Sequence, residues 1–129
     1  MRGAKVAYTG VTKMKKPTQC ALWENPILID CPQEQFFKRI DTYVDDSHLM
    51  RQLLKCHECG QLYFFEFYEE IDWEDGNDPQ YQTYIPVETD AEIEALKKAS
   101  TFELLQFFPR LQRDFRKEAQ KPTTRWVGK

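Results

Sequence analysis

The chain has 129 residues, of which 14% are aromatic, and a formal net charge of −3. This length suits one domain, residues 1–129, with a packed core, and the aromatic content is not that of a disordered chain. No apolar run reaches the roughly 18 residues of a membrane helix, and the first sixteen residues lack the apolar stretch of a signal peptide. We therefore expect a cytoplasmic protein whose four cysteines bind metal or stay reduced.

The first half of the chain is predicted to form an edge strand, a hairpin and two helices. Residues 4–8 alternate weakly, as an edge strand would, and a turn signal around Asn25 predicts a short hairpin over residues 20–31. Apolar residues with helical spacing predict a helix over residues 32–44. Ser47 is then expected to cap a second short helix, whose apolar stripe is formed by Leu49, Met50, Leu53 and Leu54.

The clearest strand signal lies in the second half. Aromatic residues recur at alternate positions over residues 61–72, and a turn composition over residues 73–79 follows. Residues 80–87 alternate as the returning strand, in which Pro86 indicates an edge position. An antiparallel hairpin is therefore predicted over these residues.

Two further helices are predicted after the hairpin. The first covers residues 89–100, where Thr89 and Glu92 have the spacing of a capping box. The second covers residues 101–109 and ends at its proline. Together the elements predict a small single α+β domain in which the hairpin packs against short helices.

One motif points to metal chemistry. Cys56-His57-Glu58-Cys59-Gly60 places two thiols on a tight turn, with a glycine suited to positive φ at its end. Over these five residues the chain resembles the zinc knuckles of zinc ribbons and rubredoxin-like domains. A second knuckle is missing, so Cys20 and Cys31 are predicted to complete a structural site for one zinc ion, unless His57 or His48 replaces one of them. Metal-free cysteines and a redox pair are the other interpretations.

The charges are strongly segregated along the chain. From Cys56 to Leu96 there are twelve acidic residues and no Lys or Arg, whereas the remainder holds all 18 basic residues. Such a segment would attract a basic partner and repel a nucleic-acid backbone, or it is simply a solvated surface. Aromatic residues lie among the acids, as in interface hot spots. The predicted partner-binding residues are Glu66, Tyr68, Glu70, Asp72, Trp73, Glu74, Asp75, Asp78 and Tyr84.

In size, in charge layout and in the stretch CHECGQLYFFEFYEEIDW, the chain resembles small acidic bacterial immunity proteins. That resemblance implies a non-enzymatic inhibitor that neutralises a basic, nuclease-like toxin through its acidic hairpin. No catalytic residue is predicted, because phosphate-binding loops and nucleophile motifs are missing from the sequence. One alternative is a zinc-knuckle protein that binds nucleic acid or is regulatory; a pI near 5.4 disfavours nucleic-acid binding. The other alternative is a carboxylate enzyme that uses Glu66 and Glu70.

Overall fold

The computed structural model describes residues 12–129, so the strand predicted at residues 4–8 lies outside the described residues. The N-terminal part contains a short strand, two one-turn α-helices and a 3₁₀ helix. In chain order these are β1 (Thr12–Lys13), α1 (Ala21–Glu24), the 3₁₀ helix Pro26–Asp30 and α2 (Gln33–Phe36).

The remaining elements are strands, apart from one longer helix and a second 3₁₀ helix. They are β2 (Phe37–Asp45), β3 (Leu49–Cys56), β4 (Leu62–Glu69), β5 (Gln80–Val87), α3 (Asp90–Lys98), the 3₁₀ helix Glu103–Gln106, β6 (Phe107–Phe108), β7 (Arg110–Phe115) and β8 (Thr123–Val127). Six strands form one antiparallel sheet in the order β2-β3-β4-β5-β7-β8. Strands β1 and β6 form a separate parallel pair. The predicted α+β class is confirmed.

One face of the sheet is covered by α3. Ile93 and Leu96 of this helix join Leu53, Phe64 and Ile85 of the strands in one buried apolar cluster. The helix begins as predicted, because the Thr89 side chain accepts from the Glu92 backbone amide while the Glu92 side chain accepts from the Thr89 amide. Such a capping box satisfies two amides that the helix itself leaves without partners.

The N-terminal segment contributes to a second buried cluster. Leu22 and Ile29 pack there with Tyr63, Tyr84 and Leu111, which alternate on their strands with the residues under α3. Strand β8 holds this segment from the other end of the chain, because the Trp126 indole donates to the Leu22 carbonyl oxygen at 2.7 Å. The central strands therefore have buried side chains on both faces.

Two predicted helices are strands in the structure. The helix predicted over residues 32–44 is confined to α2, and β2 follows it directly; the stripe from Leu49 to Leu54 belongs to β3. Adjacent apolar residues in β3 serve opposite faces, since Leu53 joins the cluster under α3 and Leu54 joins the N-terminal cluster. A strand buried on both faces and an amphipathic helix give similar short apolar runs.

Three further predictions are corrected. Residues 20–31 form α1 and a 3₁₀ helix and do not form a hairpin, and the helix predicted over residues 101–109 is shortened to Glu103–Gln106. Strand β5 is central, so Pro86 is not on an edge strand. The pairing of β5 with β7 nevertheless ends at Tyr84. Pro86 lies beyond that end, so β7 needs no amide hydrogen-bond donor from it.

A row of polar side chains crosses five strands beside the α3 cluster. Arg51, Glu66, Thr83, Gln112 and Arg125 lie opposite one another in successive strand pairs. All except Arg125 are buried. Arg51 donates to the Glu66 carboxylate at 2.9 Å, and it also donates to two carbonyl oxygens near the C-terminal end of α3. Burial raises the pKa of Glu66, and the Arg51 charge partly opposes that rise.

Replacing Arg51 by Met should leave the Glu66 carboxylate buried without its charge partner. We expect the free energy of unfolding to fall by about 3–5 kcal/mol, as when other buried pairs are broken, and urea denaturation measures this. The double variant Arg51→Met/Glu66→Leu removes both charges and should recover most of the loss. A loss below about 1 kcal/mol in the single variant would contradict this role of the pair.

Candidate functional site

Three of the four cysteines lie together beside the N-terminal cluster. Cys20 directly precedes α1, Cys56 ends β3, and Cys59 lies on the turn between β3 and β4. Their sulfur atoms are all within 4.8 Å of one another, and Cys20 and Cys56 are buried. Three thiols at these distances are close enough to hold a metal ion.

The predicted tight turn shapes one side of this group. The Gly60 amide donates to the Cys56 carbonyl oxygen at 3.0 Å, and the Cys56 amide donates to the Gln61 carbonyl oxygen at 2.8 Å. Gly60 has a φ of 78°, as expected for the glycine that ends such a turn. The turn thus holds Cys56 and Cys59 at a short distance whether or not a metal is bound.

The thiols differ in their acidity. Burial, the largest influence, raises the pKa of Cys20 to about 12. Burial, the largest single influence, acts in the same direction on Cys56, but hydrogen bonds from the Cys59 and Glu58 backbone and from the Cys59 and Cys20 side chains together lower the pKa of that thiol. A metal ion at this group would therefore displace a proton from Cys20 in particular, since only thiolates ligate.

The Tyr63 hydroxyl adds a polar atom to the same site. The residue is fully buried, and its oxygen makes no hydrogen bond to a nitrogen or oxygen atom of the described residues. Burial, then the adjacent Cys20 thiol, raise the pKa of Tyr63. A buried hydroxyl next to a thiol is a suitable donor to a metal-bound thiolate.

The fourth cysteine and both histidines lie elsewhere. Cys31 is exposed and outside the group, because the 3₁₀ helix Pro26–Asp30 replaces the predicted hairpin and does not fold the two cysteines together. The His57 Nε2 atom lies 3.1 Å from the Glu34 carbonyl oxygen. His48 contacts Glu69 at the other end of β3 and β4, at 3.0 Å, and therefore does not join the cysteines.

The predicted partner surface is only partly at the surface. Glu66 and Tyr84 are buried, which corrects their assignment as partner-binding residues. Glu66 faces α3 and pairs with Arg51, whereas the Tyr84 ring packs against Phe65 at a centroid distance of 4.8 Å. Both belong to central strands, and their side chains are buried there.

The remaining predicted residues lie on or beside the connection between β4 and β5. We call residues 70–79 the acidic loop. Trp73 is 89% exposed, and its acidic neighbours Glu74 and Asp75 are exposed as well. Tyr68 precedes the loop, is half-buried and stacks on Tyr81.

Hydrogen bonds order the acidic loop from within. One Asp72 carboxylate oxygen accepts from the Glu74 and Asp75 amides at 3.2 Å each. The Asp72 amide in turn donates to Asp78 at 2.7 Å, and Lys117 bridges Asp72 and Asp75 from outside the loop. The Lys117 ammonium, as the largest influence, holds the pKa of Asp72 below its usual range.

Several arginines are engaged within the protein. Arg113 pairs with Asp30 at 2.8 Å, and Arg125 pairs with Asp114 at 3.3 Å. Arg51 and Lys117 pair with acids of the segment from Cys56 to Leu96 and so join the two charge groups that the sequence separates. The antiparallel sheet achieves this by placing β3 and β7 on either side of β4 and β5.

A pocket of about 330 Å³ opens on the polar half of the face that α3 partly covers. Glu66 and Glu70 both line it, together with residues that the sequence did not suggest. The only available signal was the alternation in β7, whose polar members on this face are Arg110, Gln112 and Asp114. On the other face of β7, Phe115 is apolar but Arg113 is charged, so polar and apolar residues do not alternate strictly along the strand.

Comparisons with protein-family models, with the curated proteins and with the solved structures find no match. Among the described helices the longest has nine residues, and none could cross a bilayer. Function is therefore inferred from the geometry of residues 12–129.

Replacing Lys117 by Gln should raise the Asp72 pKa towards its ordinary value. The pKa of Asp72 is lower in the folded protein than in the unfolded chain. The hydrogen bonds by which the Asp72 carboxylate orders the loop are therefore fully present above the unfolded-chain pKa, and they are lost as the pH falls through the folded-state pKa. The loss should therefore begin at a higher pH in the variant. Carboxyl-carbon NMR titration and amide exchange at Glu74 and Asp75 measure this. Lys121→Gln, at an exposed lysine, is the control; equal Asp72 pKa values in both variants would refute the role of Lys117.

Proposed function

We propose that the chain is a non-enzymatic protein-binding module that presents its acidic loop to a basic protein surface. The exposure of Trp73 carries this proposal. A large aromatic ring that is 89% exposed contributes nothing to the core, but it is the residue type most enriched at the centre of protein interfaces.

The order of the loop supports the same role. A loop held by the Asp72 and Asp78 hydrogen bonds and by Lys117 loses little conformational freedom on binding. The Glu70 amide also donates to the Pro79 carbonyl oxygen at 3.0 Å and closes the base of the loop. Trp73 is thus presented on a preorganised segment.

The charge around Trp73 specifies the class of partner. Glu70 and Glu74 are exposed and form no ion pair with the described residues. Free carboxylates around an apolar anchor accelerate association with a positively charged surface. A nuclease-like toxin has such a surface, so an immunity-type inhibitor is the narrower form of the proposal. The engaged arginines of β7 and β8 give less support to nucleic-acid binding.

We also propose that Cys20, Cys56 and Cys59 hold one structural zinc ion per chain. The proximity of the three sulfur atoms and the buried Tyr63 hydroxyl beside them support it. A tetrahedral site needs a fourth ligand, and residues 1–11 contain no Cys, His, Asp or Glu. Because Cys31 and both histidines lie outside the group, we propose a solvent molecule as the fourth ligand. The metal would connect the start of α1 to the end of β3.

The double variant Glu70→Lys/Glu74→Lys tests the acidic loop, because neither side chain forms an ion pair that orders it. With a basic protein that binds the original chain as the partner, we expect association at low salt to slow about tenfold or more, with a smaller change in dissociation. Trp73→Ala should instead weaken affinity by about 2 kcal/mol. Stopped-flow and surface plasmon resonance separate these effects.

The matched control for charge is Glu24→Lys/Glu34→Lys, which reverses two exposed acids on α1 and α2. It changes the net charge equally and should leave the association rate within about twofold of the original. Equal slowing by both double variants would assign the effect to net charge and reject the acidic loop as the interface.

Elemental analysis of the purified chain and its cysteine variants tests the metal site. We expect about one zinc per chain, lost on replacing Cys20, Cys56 or Cys59 by Ser and retained in Cys31→Ser. Cys56→Ser should also lower the free energy of unfolding by more than the 1–2 kcal/mol or so of an ordinary substitution. Loss of zinc in Cys31→Ser would instead establish a four-thiolate site, and zinc-free original protein would reject the metal.

A further inference from the structure

The pocket beside α3 has features of a ligand site, and it shares Glu70 with the acidic loop. Its volume of about 330 Å³ lies at the lower end of the range for small-molecule pockets. Part of its lining belongs to the polar row, namely Glu66, Thr83, Gln112 and Arg125. A row of polar groups at the base of a concave site fixes the orientation of a bound molecule.

Arg110 is a buried cation in this lining. The residue is 8% exposed, and its guanidinium donates to Gln112 at 3.1 Å and to the Leu105 and Phe107 carbonyl oxygens. These bonds use Nε and Nη1. Within residues 12–129, Nη2 makes no hydrogen bond and no carboxylate pairs with Arg110. An arginine keeps its charge even when buried, and Asp114, the carboxylate that acts on Arg110, forms its own contacts with Arg125 and Arg116.

Two of the three carboxylates that line the pocket are paired with arginines. Glu66 is paired with Arg51, which lies outside the lining, and Asp114 contacts Arg125 at 3.3 Å and Arg116 at 4.0 Å. Once the Glu66–Arg51 pair is set aside, the lining has Arg110, Arg116 and Arg125 against Asp114 and the unpaired Glu70, an excess of one positive charge. The whole chain, by contrast, has a net charge of −3. The local excess favours an anionic ligand.

An apolar wall stands on the other side of the pocket. Phe102 lines the pocket and is 69% exposed, and Leu105 beside it is also exposed. The stacked Tyr68 and Tyr81 rings contribute a further flat surface. Exposed aromatic rings next to buried polar groups suit a ligand with a planar apolar part.

We propose that this pocket binds a small planar anion, an aromatic carboxylate or phosphate, whose charged group meets Arg110 while its ring lies against Phe102. Carboxylate and phosphate share the bidentate geometry that a guanidinium recognises. The ring would contact the apolar wall, and the polar row would accept or donate the remaining hydrogen bonds.

An NMR titration of the full chain tests the proposal with benzoate, phenyl phosphate and benzamidine as probes. We expect at least one of the two anions to shift the amide signals of Thr83, Phe102 and Gln112 in a saturable way, and benzamidine, a cation of similar shape, to leave them unchanged. Saturation by benzoate alone identifies a carboxylate ligand, and saturation by phenyl phosphate alone identifies a phosphate. Binding of benzamidine with equal or higher affinity, or no shift with either anion, overturns the proposal.

Variants at exposed positions separate a ligand effect from a folding effect. Phe102→Ala and Arg116→Gln should each weaken binding of the anion about fivefold, from loss of ring contact and of charge respectively. Ile27→Ala and Arg39→Gln make the matched changes at exposed positions outside the pocket and should leave the affinity unchanged. Equal affinities in all four variants would overturn the assignment. Arg110 itself is left intact because it holds two backbone carbonyls.

Discussion

The polar row from Arg51 to Arg125 is the constraint on which the rest of the structure depends. Its buried members need partners, and they find them only in the observed strand register. A slip of one residue in β4 would turn Glu66 towards the apolar N-terminal cluster and leave Arg51 without its partner. Arg51 also contacts the C-terminal end of α3, so the register of the sheet and the position of the helix depend on the same guanidinium.

The row also divides one face of the sheet into two functional halves. On one side, apolar residues such as Phe64 and Ile85 bind α3. On the other side the helix is missing among the described residues, and the polar side chains line an open pocket. On the opposite face the N-terminal segment packs against the strands and brings Cys20 to the end of β3. A face with clustered thiols and a face with a polar pocket thus result from one sheet.

Sequence patterns predicted the elements whose signals are local. The β4–β5 hairpin, its turn and the Thr89 capping box depend on alternation and on short-range hydrogen bonds, and all are present. Strand β3 has the apolar spacing of a helix because adjacent apolar residues, such as Leu53 and Leu54, pack on opposite faces of the sheet. Cys31 was included in the metal site because the segment after Cys20 was expected to return as a hairpin. The burial of Glu66 could not be predicted, because its partner Arg51 lies in a segment that the apolar spacing predicts as a helix. Such long-range contacts leave no trace in local spacing.

The two proposed roles of the chain lie at opposite ends of β4. Cys59 precedes this strand, and the acidic loop follows it, so the eight residues of β4 separate the thiol group from Trp73 by on the order of 25 Å. Over that distance a metal ion would act on the partner surface mainly through the stability of the fold. Loss of the metal would then reduce the folded fraction and leave the affinity of the folded molecules nearly intact. The acidic loop is instead ordered by its own carboxylates and by Lys117, which keeps its geometry a local property.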